Sequence, residues 1–279
     1  MAARCVSIED GVHIEDEGLR RAVDLLDAGD VDGLRACLAA DAGLVHRQAS
    51  FPESNYFQNP TLLEFVAENP IRRGILPPNI ADVAKVILEA GAKQDQRALN
   101  DALGLVCSGK VPRECSVQIA LIDLLCDYGA DPDHAMLAAL PHGEFEAVHA
   151  LLRRGALVSL PVSAGLGGEE DSRTWLASAS SEARHRALAL AAQFGHAAIV
   201  HMLLDAGEDP NRYNPAGFHS HSTPLHQAAL AGHLDAVRVL VEHGARLDLK
   251  DTLWQGTPAD WAKYTGKAEV EAFLRSAGN

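Results

Sequence analysis

The 279-residue chain reads as an all-α protein, a solenoid of stacked helix pairs, and three observations predict it. Glycine recurs twelve residues apart at Gly143 and Gly155, Gly195 and Gly207, Gly232 and Gly244, and Gly266 and Gly278. Between these glycines apolar residues fall at offsets of three and four. In "GHLDAVRVLVEHG" they are Leu234, Val237, Leu240 and Val241, and in "GHAAIVHMLLDAG" they are Ile199, Val200, Leu203 and Leu204. Such offsets mark one face of a helix, and the closing glycine suits the left-handed position just past a helix end. Composition agrees, because hydrophobic residues make up 47% of the chain but aromatics only 5%. Alanine and leucine dominate the apolar set, which favours close helix packing over sheet.

A second short helix precedes each opening glycine. In "TPLHQAALA", Thr223 is placed to cap the helix and Pro224 to occupy its first position, where a missing N–H costs nothing. "RALALAAQF", "HAMLAALPH" and "TPADWAKYT" fill the same slot. In this register fainter copies emerge. "IADVAKVILEAGA" ends at Gly91, "VQIALIDLLCDYGA" ends at Gly129, and "RRAVDLLDAGDVDGLRACLAAD" turns at Gly29. "LPVSAGLGGEEDSRTWLASAS" turns at Gly167, with Trp175 and Leu176 as its expected core pair. The pairs fall at 18–40, 61–91, 97–129, 133–155, 158–179, 183–207, 222–244 and 256–278. Neither helix of a pair can bury its apolar face alone, so the pairs are expected to stack into one elongated domain over residues 1–279.

The segment "STPLHQAALAGHLDAVRVLVEHGARLD" resembles an ankyrin repeat, with Thr223, Pro224, Leu225, His226, Gln227 and Ala228 matching the T-P-L-H-x-A signature. "ALALAAQFGHAAIVHMLLDAGEDPN" and "TPADWAKYTGKAEVEAFLRSAG" extend the resemblance from about Arg186 to Gly278, and it continues in Asp133–Gly155. It implies an ankyrin-type α-solenoid with hairpin fingers along one edge. The steps between Gly129, Gly155 and the equivalent Ala179 are 26 and 24 residues, against about 33 for an ankyrin step. The middle repeats are therefore expected to be degenerate and partly without fingers. Long fingers are expected at 41–60, 208–222 and 245–256. Two insertions between paired helices, "NPIRRGILPPN" (69–79) and "CSGKVPREC" (107–115), read as loops.

The resemblance also assigns four of the thirteen histidines. It implies that His226, on the signature position, hydrogen-bonds within and between neighbouring turns. His196, His233 and His243, beside turn glycines, read as structural too. His219 and His221 precede the signature. Two residues apart on an extended chain they would point the same way, a half-site for zinc, iron or copper. A third ligand would have to come from Asp209, Tyr213 or the 245–256 loop, and none is evident, so no metal and no cofactor is assigned. Asp131, Asp133, Asp209 and Asn211 follow closing glycines and read as turn formers.

The fingers carry aromatic and hydrogen-bonding groups, which a recognition surface needs. Tyr56, Tyr213, Phe218, His219, His221, Trp254 and Gln255 are the expected binding residues. Ankyrin-like arrays generally recognise protein partners through fingers and the concave face of the first helices, so the resemblance implies a protein–protein interaction scaffold. The other reading is a small-molecule binder or enzyme, metal-assisted or not, with His219 or His221 as acid or base beside Tyr56 or Glu53. The chain has no G-x-S-x-G, P-loop, dinucleotide fingerprint or H-E-x-x-H, so the non-enzymatic reading is preferred.

The net charge of −14 disfavours nucleic acid. No apolar stretch approaches the roughly 20 residues of a bilayer span, so no membrane association is expected. Five scattered cysteines without a CxxC, and an N-terminus without an apolar core, suggest a cytoplasmic protein.

Overall fold

The computed structural model describes residues 14–50 and 59–278. They form sixteen α-helices and four short 3-10 turns, with a single isolated antiparallel bridge between Gln48 and Thr61. The protein is an all-α solenoid, and the chain divides into two compact units, residues 1–156 and 157–279.

The first unit holds α1 (Glu17–Ala28), α2 (Val31–Ala40), α3 (Ile80–Glu89), α4 (Gln96–Ser108), α5 (Lys110–Glu114), α6 (Gln118–Asp127), α7 (Pro132–Ala139) and α8 (Phe145–Arg153). Helices α2, α3, α6 and α8 pack in succession as one layer, and α4 packs on α7 in the other. In the 61–91 pair the first helix is shortened to a single 3-10 turn, Glu64–Ala67, which packs on α4. Its side chains are all buried, and Glu64 accepts both the N–H and the hydroxyl of Thr61, at 2.6 and 2.9 Å.

The insertion at 69–79 is a loop, as expected, but a braced one. The Glu68 carboxylate collects the backbone N–H groups of Arg72, Arg73 and Gly74. Arg72 bridges it to Asp27 and lies over the Phe65 ring. The insertion at 107–115 is not simply a loop, because Lys110–Glu114 forms α5. The proline that suggested a loop, Pro112, sits in the first turn of that helix, where its N–H has no intrahelical partner to lose.

The second unit holds α9 (Leu160–Leu166), α10 (Glu169–Leu176), α11 (Ser181–Phe194), α12 (Ala197–Asp205), α13 (Pro224–Ala231), α14 (Leu234–Glu242), α15 (Pro258–Tyr264) and α16 (Ala268–Ala277). Helices α9, α11, α13 and α15 stack as one layer and α10, α12, α14 and α16 as the other. Between the layers lies a core of small and branched residues, among them Leu188, Ala191, Ile199, Leu203, Leu225, Ala228, Val237 and Leu240. Apolar area removed from water supplies the main drive for the stacking. Trp175 does not join this core as expected. It is 44% exposed, while Leu176 packs against the core. Adjacent positions on a helix point about 100° apart, and on α10 only Leu176 falls on the core side.

The glycine ruler has a tertiary cause as well as a local one. Gly195 closes α11 with φ 78°, and a Cβ there would stand 2.5 Å from the His233 ring. His233 follows the turn glycine of the next repeat, and it accordingly seats on the turn before it. His196 seats in the same way on Gly167, with Nε2 3.2 Å from the Gly165 carbonyl, and the Lys267 stem covers Gly232. Each of these three turns of the second unit is thus covered by the first residue after the following turn glycine, which fixes the register between its repeats.

Between α8 and α9, and between α10 and α11, the connections are only 154–159 and 177–180, whereas 206–223 and 243–257 separate the later pairs. These two long connections are the fingers that carry most of the expected binding residues.

Candidate functional site

The 208–222 finger is held to its neighbour by its own polar groups. Asp209 accepts the Asn211 N–H at 2.9 Å, forming the expected turn. Asn211 donates to the Gly244 carbonyl at 3.1 Å and accepts from the Arg246 N–H at 2.8 Å, so it also sets the start of the next finger. The Tyr213 hydroxyl donates to the Lys250 carbonyl at 2.6 Å, a second strut between the fingers. The Tyr213 ring remains partly exposed. Phe218 is only 4% exposed, with the Arg186 guanidinium 5.7 Å from its ring centre, so it braces the finger from inside.

The 245–256 finger folds round one carboxylate. Asp251 is fully buried. Its Oδ1 accepts from the Leu253 and Trp254 N–H groups at 2.9 and 2.6 Å. Its Oδ2 accepts from the Gly256 N–H at 2.7 Å and from Trp261 Nε1 at 3.0 Å. Burial opposes its ionisation, yet these hydrogen bonds prevail and hold its pKa below the ordinary value. The Gln255 side chain donates to the Asp251 carbonyl, and the Thr252 N–H donates to the His221 carbonyl at 2.9 Å, joining the two fingers again.

His226 links this finger to the signature helix. Its Nδ1 takes the Thr223 hydroxyl at 2.8 Å and the Thr223 N–H at 3.2 Å, and its Nε2 lies 3.1 Å from the Gly256 carbonyl. This geometry requires the tautomer with the proton on Nε2. The expected role within and between turns is what these bonds perform.

Above this buried frame stands an aromatic cluster. The His221 ring packs edge-on to Trp254 at 5.1 Å and tilted against Trp261 at 5.7 Å. Trp254 and Trp261 lie 5.8 Å apart, and His226 is 5.1 Å from Trp261. Trp261 is buried, whereas Trp254 is 53%, Leu253 62% and Tyr264 79% exposed. Burial, reinforced by the neighbouring His219, depresses the pKa of His221 and favours its neutral form.

His219 and His221 do not form the side-by-side pair expected of an extended chain. His219 has φ 61°, a left-handed conformation that breaks the alternation, and the two rings stand perpendicular with centres 6.2 Å apart. Of the suggested third ligands, Asp209 and Tyr213 are committed to the bonds above. Gln255 is also left-handed, with φ 58°. Thus His219, His221, Tyr213, Trp254 and Gln255 fall on the two joined fingers and Phe218 beneath them, while Glu53 and Tyr56 lie outside the described residues.

The sequence reading did not single out His201 and Asp205. They lie one turn apart on α12, and His243, at the end of α14, reaches the same carboxylate. The H-x-x-x-D spacing in "HMLLD" was the available signal.

Comparison with known proteins places this geometry in a family. A model of ankyrin repeats in three copies matches residues 115–251 and 188–278. Human cyclin-dependent kinase inhibitor 2A is 33% identical over 142 residues, covering 51% of this chain and 76% of that protein. Human cyclin-dependent kinase 4 inhibitor B is 40% identical over 83 residues, covering 30% of this chain and 57% of the relative. A mouse ankyrin repeat and SAM domain-containing protein 6 is 34% identical over 97 residues, 35% of this chain and 11% of its own length. Among the described residues no helix is long and apolar enough to cross a membrane. With its repeat signature, its covered turn glycines and a family match that spans more than half its length, the chain belongs to the ankyrin-repeat family.

Proposed function

We propose that the protein is a recognition module that binds a protein partner on the joined fingers 208–222 and 245–256 and the exposed end of α15. The observation that carries this reading is a platform, the exposed pair Leu253 and Trp254, mounted on the buried Asp251–Trp261 frame, with Tyr264 exposed at the end of the same helix as Trp261. Large aromatic groups on a rigid base bind with little loss of side-chain freedom, and such residues dominate interface energetics. The net charge of −14 suits a partner with a basic surface. Relatives named as inhibitors of cyclin-dependent kinases make a kinase of that class the first partner to assay.

The test places a photo-crosslinking residue at Leu253 or Tyr264, and at exposed Lys85 as a control, in cells that make the protein. One protein captured from both Leu253 and Tyr264, absent at Lys85 and bound at least about tenfold more weakly by a Trp254→Ala variant of unchanged melting temperature, supports the reading. Equal capture at all three positions, or unchanged affinity in the variant, refutes the platform.

A further inference from the structure

We propose that His201, Asp205 and His243 form a surface site for a divalent transition-metal ion, zinc being the ion that fits best. The three side chains come from consecutive repeats. His201 and Asp205 project from one face of α12, and His243 follows the last residue of α14, the helix that packs beside it. One His201 nitrogen, Nδ1, lies 2.9 Å from Asp205 Oδ2, and His243 Nε2 lies 3.2 Å from Asp205 Oδ1. A ligand atom from each of the three falls within 4.8 Å of the others. In tetrahedral zinc sites with bonds of about 2.0–2.1 Å, ligand atoms stand roughly 3.3–3.5 Å apart. The three groups therefore need only side-chain rotation to close on an ion, and all are solvent-accessible enough to rotate.

The tautomer of His243 is already set for the purpose. Its Nδ1 lies 2.8 Å from the Val239 carbonyl, an acceptor that requires the proton on that nitrogen. Nε2 of the neutral ring then presents a lone pair towards Asp205, which is itself an acceptor. Two acceptors 3.2 Å apart need a positive centre between them, either a proton or a metal ion. A ring N–H held by a backbone carbonyl is also the usual support behind a metal-bound histidine. Two imidazoles and one carboxylate leave a fourth position for water or a partner's side chain. Nitrogen and oxygen donors of this kind suit zinc, and the Irving–Williams order adds nickel and copper. Bound there, the ion would clamp α12 to α14 on the helical layer away from the signature helices, so it would stiffen the repeat stack.

The experiment uses the full, untagged chain after removal of adventitious metal. Cobalt(II) is titrated first, read by its visible absorption, and zinc is then added in competition. The wild type is expected to bind one equivalent with a spectrum free of thiolate charge-transfer bands, which separates this site from Cys37, Cys115 and Cys126. Zinc is expected to raise the melting temperature. His201→Gln, Asp205→Asn and His243→Gln should each weaken binding by at least about tenfold and remove the shift. His219→Ala/His221→Ala should retain both. Absence of saturable binding, a thiolate spectrum, or unchanged affinity in the three single variants would overturn the proposal. Surface substitutions on α12 and after α14 leave the core intact, and the melting temperature without metal confirms that each variant is folded.

Discussion

Asp251 accepts the indole N–H of Trp261 at 3.0 Å, and through that bond the turn of one finger is fixed to the first helix of the repeat that follows. The same carboxylate binds three backbone N–H groups of its own loop. Removing it would leave four donors unsatisfied, in a place where burying an unpaired polar group costs about 1–3 kcal/mol. Asp251→Ala is therefore expected to destabilise the second unit by about 2–4 kcal/mol. Urea unfolding followed by tryptophan fluorescence measures this directly, because Trp175, Trp254 and Trp261 all belong to that unit. A loss below about 1 kcal/mol would mean that the finger holds its shape without the carboxylate.

The ionisable groups of the second unit set the direction of its pH dependence. Burial lowers the pKa of His185, His221, His226 and His233 below the ordinary 6.5, so the folded state holds them neutral. As pH falls below 6.5 the unfolded chain takes up protons that the folded chain refuses, and stability declines. His243 works in the opposite sense. Its bond to Val239 and its approach to Asp205 raise its pKa, so its contribution is present at low pH and lost as pH rises through the raised value. Four groups oppose one, and the net expectation is a stability that falls below pH 6.5. Asp251 adds a second decline. Its contribution is complete above 3.8 and is lost as pH drops through its depressed folded value. Melting temperatures across this range should show the two stages, and a flat profile between pH 7 and 5 would contradict the histidine assignments.

Much of this architecture was legible in the sequence because it is local or repeated. The spacing of glycines located the turns, and the signature from Thr223 to Ala228 located the first helix of its repeat. What the sequence hid depends on partners distant in the chain. The seat of His233 on Gly195, the bond of His226 to the Gly256 carbonyl, and the meeting of His201 and Asp205 with His243 all arise from stacking one repeat on the next. Trp175 departs from expectation because a large apolar residue next to a core position attracts a core assignment, whereas on α10 only Leu176 turns to the core. Pro112 misled in the same way, since proline interrupts a helix in its interior but fits its first turn. The His219–His221 pair looked like a metal half-site because alternation was assumed, and the left-handed backbone at His219 removes that premise.

Backbone handedness at the turns gives a paired prediction. At Gly195, φ is 78° and an added Cβ would meet the His233 ring at 2.5 Å. Gly195→Ala combines left-handed strain of about 1–2 kcal/mol with displacement of a packed ring, so a loss of more than about 2 kcal/mol is expected. His219 occupies the same backbone region without being glycine. His219→Gly relieves that strain and gives back about 0.5–1 kcal/mol of it to the greater freedom of the unfolded chain. The net expectation is a change between about zero and 1 kcal/mol in favour of the fold. Strong destabilisation by His219→Gly would show that the imidazole, rather than the turn, is what the finger requires.

Phe218 and Trp254 separate the support of the fingers from their working surface. Phe218 is enclosed beneath the guanidinium of Arg186, and Trp254 is 53% exposed. Truncating a buried phenylalanine typically costs about 3–5 kcal/mol, so Phe218→Ala should lower the unfolding midpoint markedly. In Trp254→Ala the N–H that Asp251 accepts belongs to the backbone and survives, so the stability change should stay within about 1 kcal/mol. If the platform binds the partner, its affinity should nonetheless fall by at least about tenfold, since aromatic anchors carry a disproportionate share of binding energy. The informative result is the dissociation of the two effects. A Trp254→Ala variant that loses stability as severely as Phe218→Ala would make the indole part of the frame, and the binding surface would then have to rest on Leu253 and Tyr264.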